Sequence, residues 1–348
     1  MYSSYPVLTL HRVPAPPPEA DGFADRLIYQ TEEWVRFISR SHGAEPVWAE
    51  LRHGETVVGY LTGLLFSVYG VRILGSPFPG WTTPYLGFNL TPDVPRWRAV
   101  AALDRFAFET LGCLHFEIVD RYLTLGDASR LEAQVEVQAT HETDLRQTED
   151  ELFSAMTSAC RRCIRKALKS GVLIEEANDA GFAAEYYAQL QEVFHRQRLV
   201  PTYAVDRVND LIECFRPTGR LLLLRARAPD GRCIASGIYP GMNTVAQLWG
   251  NASLRSGLPL RPNELLHWYA MRYWKARGIE RFDWGGKAAY KEKYGCTSLE
   301  VPRVLKSRFR LLRPLRAHAF ALTQRYQRIR GWLAASTVAR AARVVSHN

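Results

Sequence analysis

The sequence predicts an α+β protein made of two related units, each built on a mixed α/β sheet. A hairpin, a helix and a strand follow one another in the same order in both halves of the 348-residue chain. The spacing recurs as well. Gly112 and Gly278 each stop a helix, and each is followed five residues later by an acid behind an aromatic, Phe116-Glu117 and Phe282-Asp283. Between the halves lies the polar stretch "THETDLRQTEDE", which places a seam near residues 140–152.

In the first half, "TEEWVRFISRSHG" has helical spacing and a glycine stop. "PVWAELRHGETVVGYLTGLLF" reads as two strands joined at His53-Gly54. Residues 71–90 break into a loop rich in proline, glycine and aromatics, "SPFPGWTTPYLGFN". "PRWRAVAALDRFAFETLG" is an amphipathic helix with Pro95 near its start and Gly112 after its end, and "LHFEIVD" is a short strand.

The second half opens its repeat with "RLLLLRARAPDGRCIASGIYP", a hairpin turning at Asp230-Gly231. "TVAQLWGN" is a third strand, "RPNELLHWYAMRYWKARG" a helix and "IERFDW" a strand. Two further helices, "AAEYYAQLQEVFHRQR" and "VDRVNDLIECFR", are inserted ahead of the hairpin. The expected domains are therefore 1–147 and 148–310, followed by a basic helical tail over 311–348.

Composition narrows the class. With 47% hydrophobic residues the chain can bury real cores, and no apolar run approaches the roughly 18 residues a membrane helix needs. The opening "MYSSYPVLTLHRVPAPPPEA" lacks the basic-then-apolar order of a signal peptide. Six cysteines show no framework spacing, and only Cys160 and Cys163 form a close pair, so reduced thiols and no metal site are expected. These features point to a soluble, cytoplasmic protein.

Charge is distributed unevenly. Residues 303–348 hold eleven Lys/Arg and no acid, leaving 34 basic and 35 acidic residues before them, so the whole net charge of +10 sits in that segment. A second acid-free cluster, "SACRRCIRKALKS", carries Arg161, Arg162, Arg165, Lys166 and Lys169. Such local positive fields attract polyanions, whether nucleotide diphosphates, RNA or anionic lipid head groups; a solvated helix face would read the same way.

The stretch "DWGGKAAYKEKYG", residues 283–295, concentrates chemistry on one turn after a strand. Gly285 and Gly286 permit positive φ and close backbone approach, and exposed N–H groups there would bind an anion or oxyanion. Lys291 sits between Tyr290 and Tyr294, whose rings would limit water around its ammonium and strengthen its field. A surface loop with solubilising lysines is the competing reading. Asp283 is expected to cap the turn through its amides.

These residues resemble the C-terminal signature of FemAB-type acyltransferases, tandem relatives of the GCN5-related N-acetyltransferases (GNAT). "RRCIRKALKSGVLIEEAND" (161–179) is similar to that family's basic helix and the strand after it, and "LRPNELLHWYAMRYWKARG" to the helix beneath the acyl-donor site. The likeness covers most of residues 26–310. It implies tandem GNAT-like domains with a cleft between them, and transfer of an acyl or aminoacyl group to an amine of a cell-envelope precursor or secondary metabolite. By position, Tyr290 and Lys291 match the aromatic-lysine pair at the reacting carbonyl, where Lys291 would stabilise the oxyanion. Arg162, Arg165 and Lys166 match the helix that receives acceptor phosphates. Trp81, Thr83 and Tyr85 would line the acceptor cleft, and Gly285, Gly286 and Lys287 would belong to the binding turn. The tail beyond 311 would return to the first domain or meet tRNA or an anionic membrane.

No tightly bound cofactor is implied; the donor is aminoacyl-tRNA or acyl-CoA. CoA-dependent relatives hold the pyrophosphate on a glycine-rich turn at a helix start. Here the equivalent stretch is "SLRSGLPLRPNELL", where Pro259 and Pro262 remove two N–H groups, which favours aminoacyl-tRNA. The acceptor would be a small-molecule or a lipid- or nucleotide-linked amine. Asp283, Glu264 and His267 are the candidate bases, although proton loss through water or the substrate itself would also serve. The alternatives are an acetyl-CoA-dependent N-acetyltransferase of polysaccharide assembly, and a non-catalytic RNA- or membrane-surface protein that kept the fold.

Overall fold

The computed structural model describes residues 7–309 apart from Tyr69; the basic tail expected over 311–348, with its anticipated return to the first domain, lies outside the described residues. In chain order the strands are β1 Leu8–Val13, β2 Glu45–His53, β3 Thr56–Val68, β4 Val71–Ser76, β5 Gly87–Leu90, β6 His115–Val119 and β7 Gln134–Asp144. They continue as β8 Leu173–Glu176, β9 Leu221–Arg227, β10 Cys233–Met242, β11 Val245–Gln247, β12 Gly250–Ser253, β13 Arg281–Asp283 and β14 Thr297–Ser307.

The chain divides into two compact units. The first contains the described residues up to Gln147, Pro240–Gln247, and the chain from Arg277 onward; the second contains Thr148–Tyr239 and Leu248–Ala276. The units part at 147/148, within the polar seam. However, the stretch read from sequence as one C-terminal domain of 148–310 is shared out, because β11, β13 and β14 find their partners among strands of the first unit.

In the first unit the sheet order is β1-β2-β3-β4-β6-β14-β7-β13-β11. Most pairs are antiparallel, but β4 runs parallel to β6 and β11 to β13. The hairpin expected at His53-Gly54 forms, with His53 facing Thr56 across β2 and β3. Its core packs Val47, Leu51, Leu61, Leu74, Phe88 and Ile118 against Leu103 and Phe106, with Val304 of β14 among them.

Several elements differ from the sequence reading. Residues 71–90 hold two strands as well as a loop: β4 pairs with β3 and β6, and β5 pairs with β3. The prolines and aromatics between them masked the short apolar runs. The helix expected over 95–112 forms in pieces, Arg96–Ala101 and Leu103–Arg105, then widens into a π turn over Phe106–Thr110, where Leu111 N–H reaches the Phe106 carbonyl at 2.9 Å. "TVAQLWGN" divides into β11 and β12.

In the second unit β8, β9 and β10 are consecutive neighbours, and β12 pairs antiparallel with β10. The two inserted helices form over Phe182–Arg196 and Val205–Phe215, and the long helix over Pro262–Lys275. The basic helix runs Ser158–Lys169, capped by Thr157, whose hydroxyl accepts from Cys160 N–H at 3.3 Å. All six cysteines are free thiols.

Candidate active site

The end of β7 carries Thr140, His141, Glu142 and Thr143, four polar residues that are all buried. Burial of this kind is stable only when the groups find partners. β13 supplies them by lying antiparallel beside β7, with Asp283 opposite Glu142 and Phe282 opposite Thr143.

Asp283 is the hub, 1% exposed. Its Oδ1 accepts from the Thr140 hydroxyl at 2.7 Å and from Gly285 N–H at 2.7 Å. Its Oδ2 accepts from the Tyr85 hydroxyl at 2.8 Å and faces Arg121 Nη1 at 3.6 Å. Arg121 also pairs with Glu142, and its guanidinium lies over the Tyr85 ring at 5.5 Å and the Tyr122 ring at 5.8 Å. The Tyr29 hydroxyl donates to Gln247 Oε1, and the Tyr29 ring stands 6.3 Å from that of Tyr85. All of these residues belong to the first unit.

The electrostatics follow from this packing. Burial lifts the hydroxyls of Tyr29 and Tyr85 well above the ordinary phenol range, and the Asp283 charge pushes in the same direction. Both therefore stay protonated and act as donors. Burial also raises the Glu142 carboxyl; Arg121 opposes that rise, and Asp283 reinforces it. Burial alone would weaken the Arg121 cation, but Glu142, Tyr85 and Asp283 more than reverse the effect. Two carboxylates thus share one guanidinium. Arg121 Nη1, itself buried, has no hydrogen-bond acceptor among the described residues.

The turn after β13 uses its glycines as expected, with φ of 68° at Gly285 and 97° at Gly286. Its amides, however, are not free for a ligand. Gly285 N–H is held by Asp283, the cap foreseen from sequence, and Gly286 N–H donates to the Thr140 hydroxyl at 2.9 Å. A turn leaving a buried strand end must satisfy its own donors, and these two side chains do so.

Lys291 is buried at 6% exposure in the short helical turn Ala289–Tyr294. Its ammonium donates to three backbone carbonyls: Trp284 at 2.6 Å, Gly285 at 3.1 Å and Gly286 at 3.0 Å. The partners are neutral dipoles, so the charge is solvated without being cancelled. Burial draws the ammonium below its ordinary range, while Asp283 and Cys296 oppose the shift. Of the flanking tyrosines, Tyr294 stacks on Trp284 at 4.3 Å, whereas Tyr290 is 56% exposed with its ring 5.7 Å from the Lys291 nitrogen. Lys287 is exposed.

The three loop residues separate. Tyr85 joins the Asp283 network. Thr83 accepts from Trp34 Nε1 at 2.9 Å, and Trp81 packs on Phe66 at 5.3 Å, both buried within the first unit. In the second unit, Arg162, Arg165 and Lys166 lie exposed along one face of the basic helix, while Arg161 turns back to the carbonyls of Ser154 and Met156. His267 is buried against the Tyr239 hydroxyl at 3.0 Å, and Glu264 is buried on the same helix. At the position of a pyrophosphate turn, the single-turn helix Arg255–Leu260 ties Arg255 N–H to the Glu192 carboxylate at 2.7 Å.

Sequence reasoning missed Tyr29, Arg121, Thr140, Glu142 and Gln247. The available signal was the order Thr-His-Glu-Thr in the seam, whose alternate residues face opposite sides of a strand.

Residues 154–294 match the model of an acetyltransferase (GNAT) domain, and the match ends on the Lys291 turn. No curated protein matches the chain. Among solved structures the fold is similar to that of FemX, at 13% identity and a TM-score of 0.69 over 84% of this chain and 96% of that one. It is also similar to L-PGS from Bacillus licheniformis (10% identity, TM-score 0.52, 87% and 98%). A tandem GNAT protein from the clavulanic acid biosynthesis pathway gives 11% identity and a TM-score of 0.50 over 86% and 98%. The chain thus carries an acyltransferase domain of the GNAT class. Its overall fold is that of tandem GNAT proteins, FemX among them.

Proposed function

We propose that the protein is an N-acyltransferase that moves an acyl or aminoacyl group onto a primary amine, forming an amide. The observation that carries this reading is the match of residues 154–294 to an acetyltransferase (GNAT) domain, ending where a buried ammonium and a buried carboxylate brace one turn. Lys291, held only by neutral carbonyls, retains a full charge with which to stabilise an oxyanion forming nearby. Tyr290 shields it from solvent, and Asp283 fixes the turn through Gly285 and Thr140. Gly286 and Lys287 complete the binding turn, and Arg162, Arg165 and Lys166 take the phosphates of donor or acceptor.

Aminoacyl-tRNA is the donor favoured over acyl-CoA. At the turn where CoA would lay its pyrophosphate, the Arg255 amide is already bound by the Glu192 carboxylate, which would repel a second anion. The FemX likeness supports an acceptor linked to a nucleotide or lipid, and that of L-PGS is compatible with work at an anionic membrane. No helix among the described residues is long and apolar enough to cross one.

The test is donor consumption. The protein is incubated separately with charged tRNA pools and with acetyl-CoA in the presence of amine acceptors, and N-acyl product is followed by mass spectrometry. Amide formed from charged tRNA supports the reading, amide formed from acetyl-CoA alone reassigns the donor, and no amide from either overturns it.

A further inference from the structure

Amide formation needs a neutral amine, yet acceptor amines arrive as ammonium ions. The group that removes the proton must meet that cation, prefer its company when ionised and hold a proton near neutral pH. Glu264 and His267 do not meet the first condition, since His267 is engaged with Tyr239 and both lie buried on a helix of the second unit. Asp283 is also a poor candidate, because both its oxygens are already taken by Thr140, Gly285 and Tyr85.

Resting on the acyltransferase reading above, we propose that Glu142 receives the acceptor as a primary ammonium and takes its proton. Three observations place it in that role. Glu142 has one cationic partner, Arg121, which it shares with Asp283, so the cluster holds one uncompensated negative charge. A buried excess charge of that sign is a site for a cation. Arg121 Nη1 is buried in the same cluster without a hydrogen-bond acceptor, a place for an oxygen carried beside the amine. The Glu142 side chain keeps 10% of its surface exposed, whereas that of Asp283 keeps 1%, so of the two carboxylates Glu142 is the one a ligand reaches. The charged and titratable groups facing it are Arg121, Asp283, Arg281 and Tyr85; burial and Asp283 hold its proton affinity above that of an ordinary glutamate.

The acceptor ammonium gives one proton to a Glu142 oxygen, and its nitrogen lone pair attacks the donor carbonyl carbon. As the N–C bond forms, the carbonyl π pair moves to oxygen. When that pair returns, the bond to the leaving ester oxygen or thioester sulfur breaks. The leaving atom takes the bonding pair and a second nitrogen proton, and Glu142 releases its own proton to water.

The experiment compares full-length wild type with Glu142→Gln, using charged tRNA and acetyl-CoA as donors. Ethanolamine, protonated at neutral pH and carrying an oxygen, is set against hydroxylamine, whose nitrogen is largely neutral there. The variant should lose about 100-fold or more in kcat/KM with ethanolamine and less than about 10-fold with hydroxylamine. The wild-type profile should fall on an acidic limb that the variant lacks. Equal losses with both amines, or a variant that keeps the wild-type limb, overturn the role of Glu142 while leaving the acyltransferase reading intact. No wild-type transfer to either amine from either donor overturns the acyltransferase reading itself. Should Glu142→Gln fail to fold, the wild-type limb decides: present for ethanolamine and absent for hydroxylamine supports the inference, and any other pattern rejects it.

Discussion

The hydroxyl of Tyr85 donates to Asp283 Oδ2 at 2.8 Å, joining a proline-rich surface loop to the strand end that carries the Gly-Gly turn. Both groups are buried, and the bond is charge-assisted. Tyr85→Phe removes the donor and leaves the carboxylate short of one partner. The expected cost is about 1.5–3 kcal/mol in urea unfolding. Transfer should fall together with stability, since the Gly285 turn hangs from the same carboxylate; a variant as stable as wild type would mean that solvent replaces the tyrosine.

Lys291→Ala leaves the carbonyls of Trp284, Gly285 and Gly286 without their shared donor. A loss of about 2–4 kcal/mol is expected, together with a fall in transfer of more than about 100-fold measured below the variant's melting temperature. Wild-type turnover in the folded variant would remove Lys291 from the chemistry and leave it as a brace for the turn.

Replacing Arg162, Arg165 and Lys166 together with alanine should leave the melting temperature almost unchanged, because all three side chains lie in solvent. Binding of charged tRNA should weaken, and the slope of log affinity against log salt should shrink in magnitude by about 2. An unchanged slope would place the phosphates elsewhere.

Glu142 gives a pH signature of its own. A carboxyl whose folded-state pKa is raised binds its proton more tightly in the native state, so ionising it costs native stability. That cost is absent below the unfolded-state value near pH 4.3 and grows as pH rises towards the folded value, above which it is complete. Melting curves should therefore show wild type losing stability relative to Glu142→Gln as pH rises through that interval. Parallel curves would show that Arg121 neutralises the group fully.

Much of the architecture is legible in the residues. Helical spacing marks Glu32–His42, Phe182–Arg196 and Pro262–Lys275, and the Asp230-Gly231 turn marks its hairpin. The site is only half legible. Lys291, Asp283 and the two glycines announce themselves in one short stretch, and the partners that give them meaning do not. Thr140 and Glu142 sit in a segment so polar that it reads as a linker, yet it is the end of a buried strand. Polarity signals exposure only when nothing in the fold answers it, and here Tyr85, Arg121 and Asp283 come from distant parts of the chain. Arg121 follows an ordinary apolar strand and is distinguished only by the two carboxylates it meets.

β14 lies between β6 and β7 in the first unit's sheet, although it is the last strand of the described chain. A ribosome that has released residue 147 has therefore exported β6 and β7 without the strand that separates them. Both remain open edges, able to pair wrongly, until residue 307 emerges. The second unit's intervening residues are synthesised during that wait. A nascent chain of this kind has every reason to engage a chaperone, and a gene fragment encoding only residues 1–147 should yield aggregate.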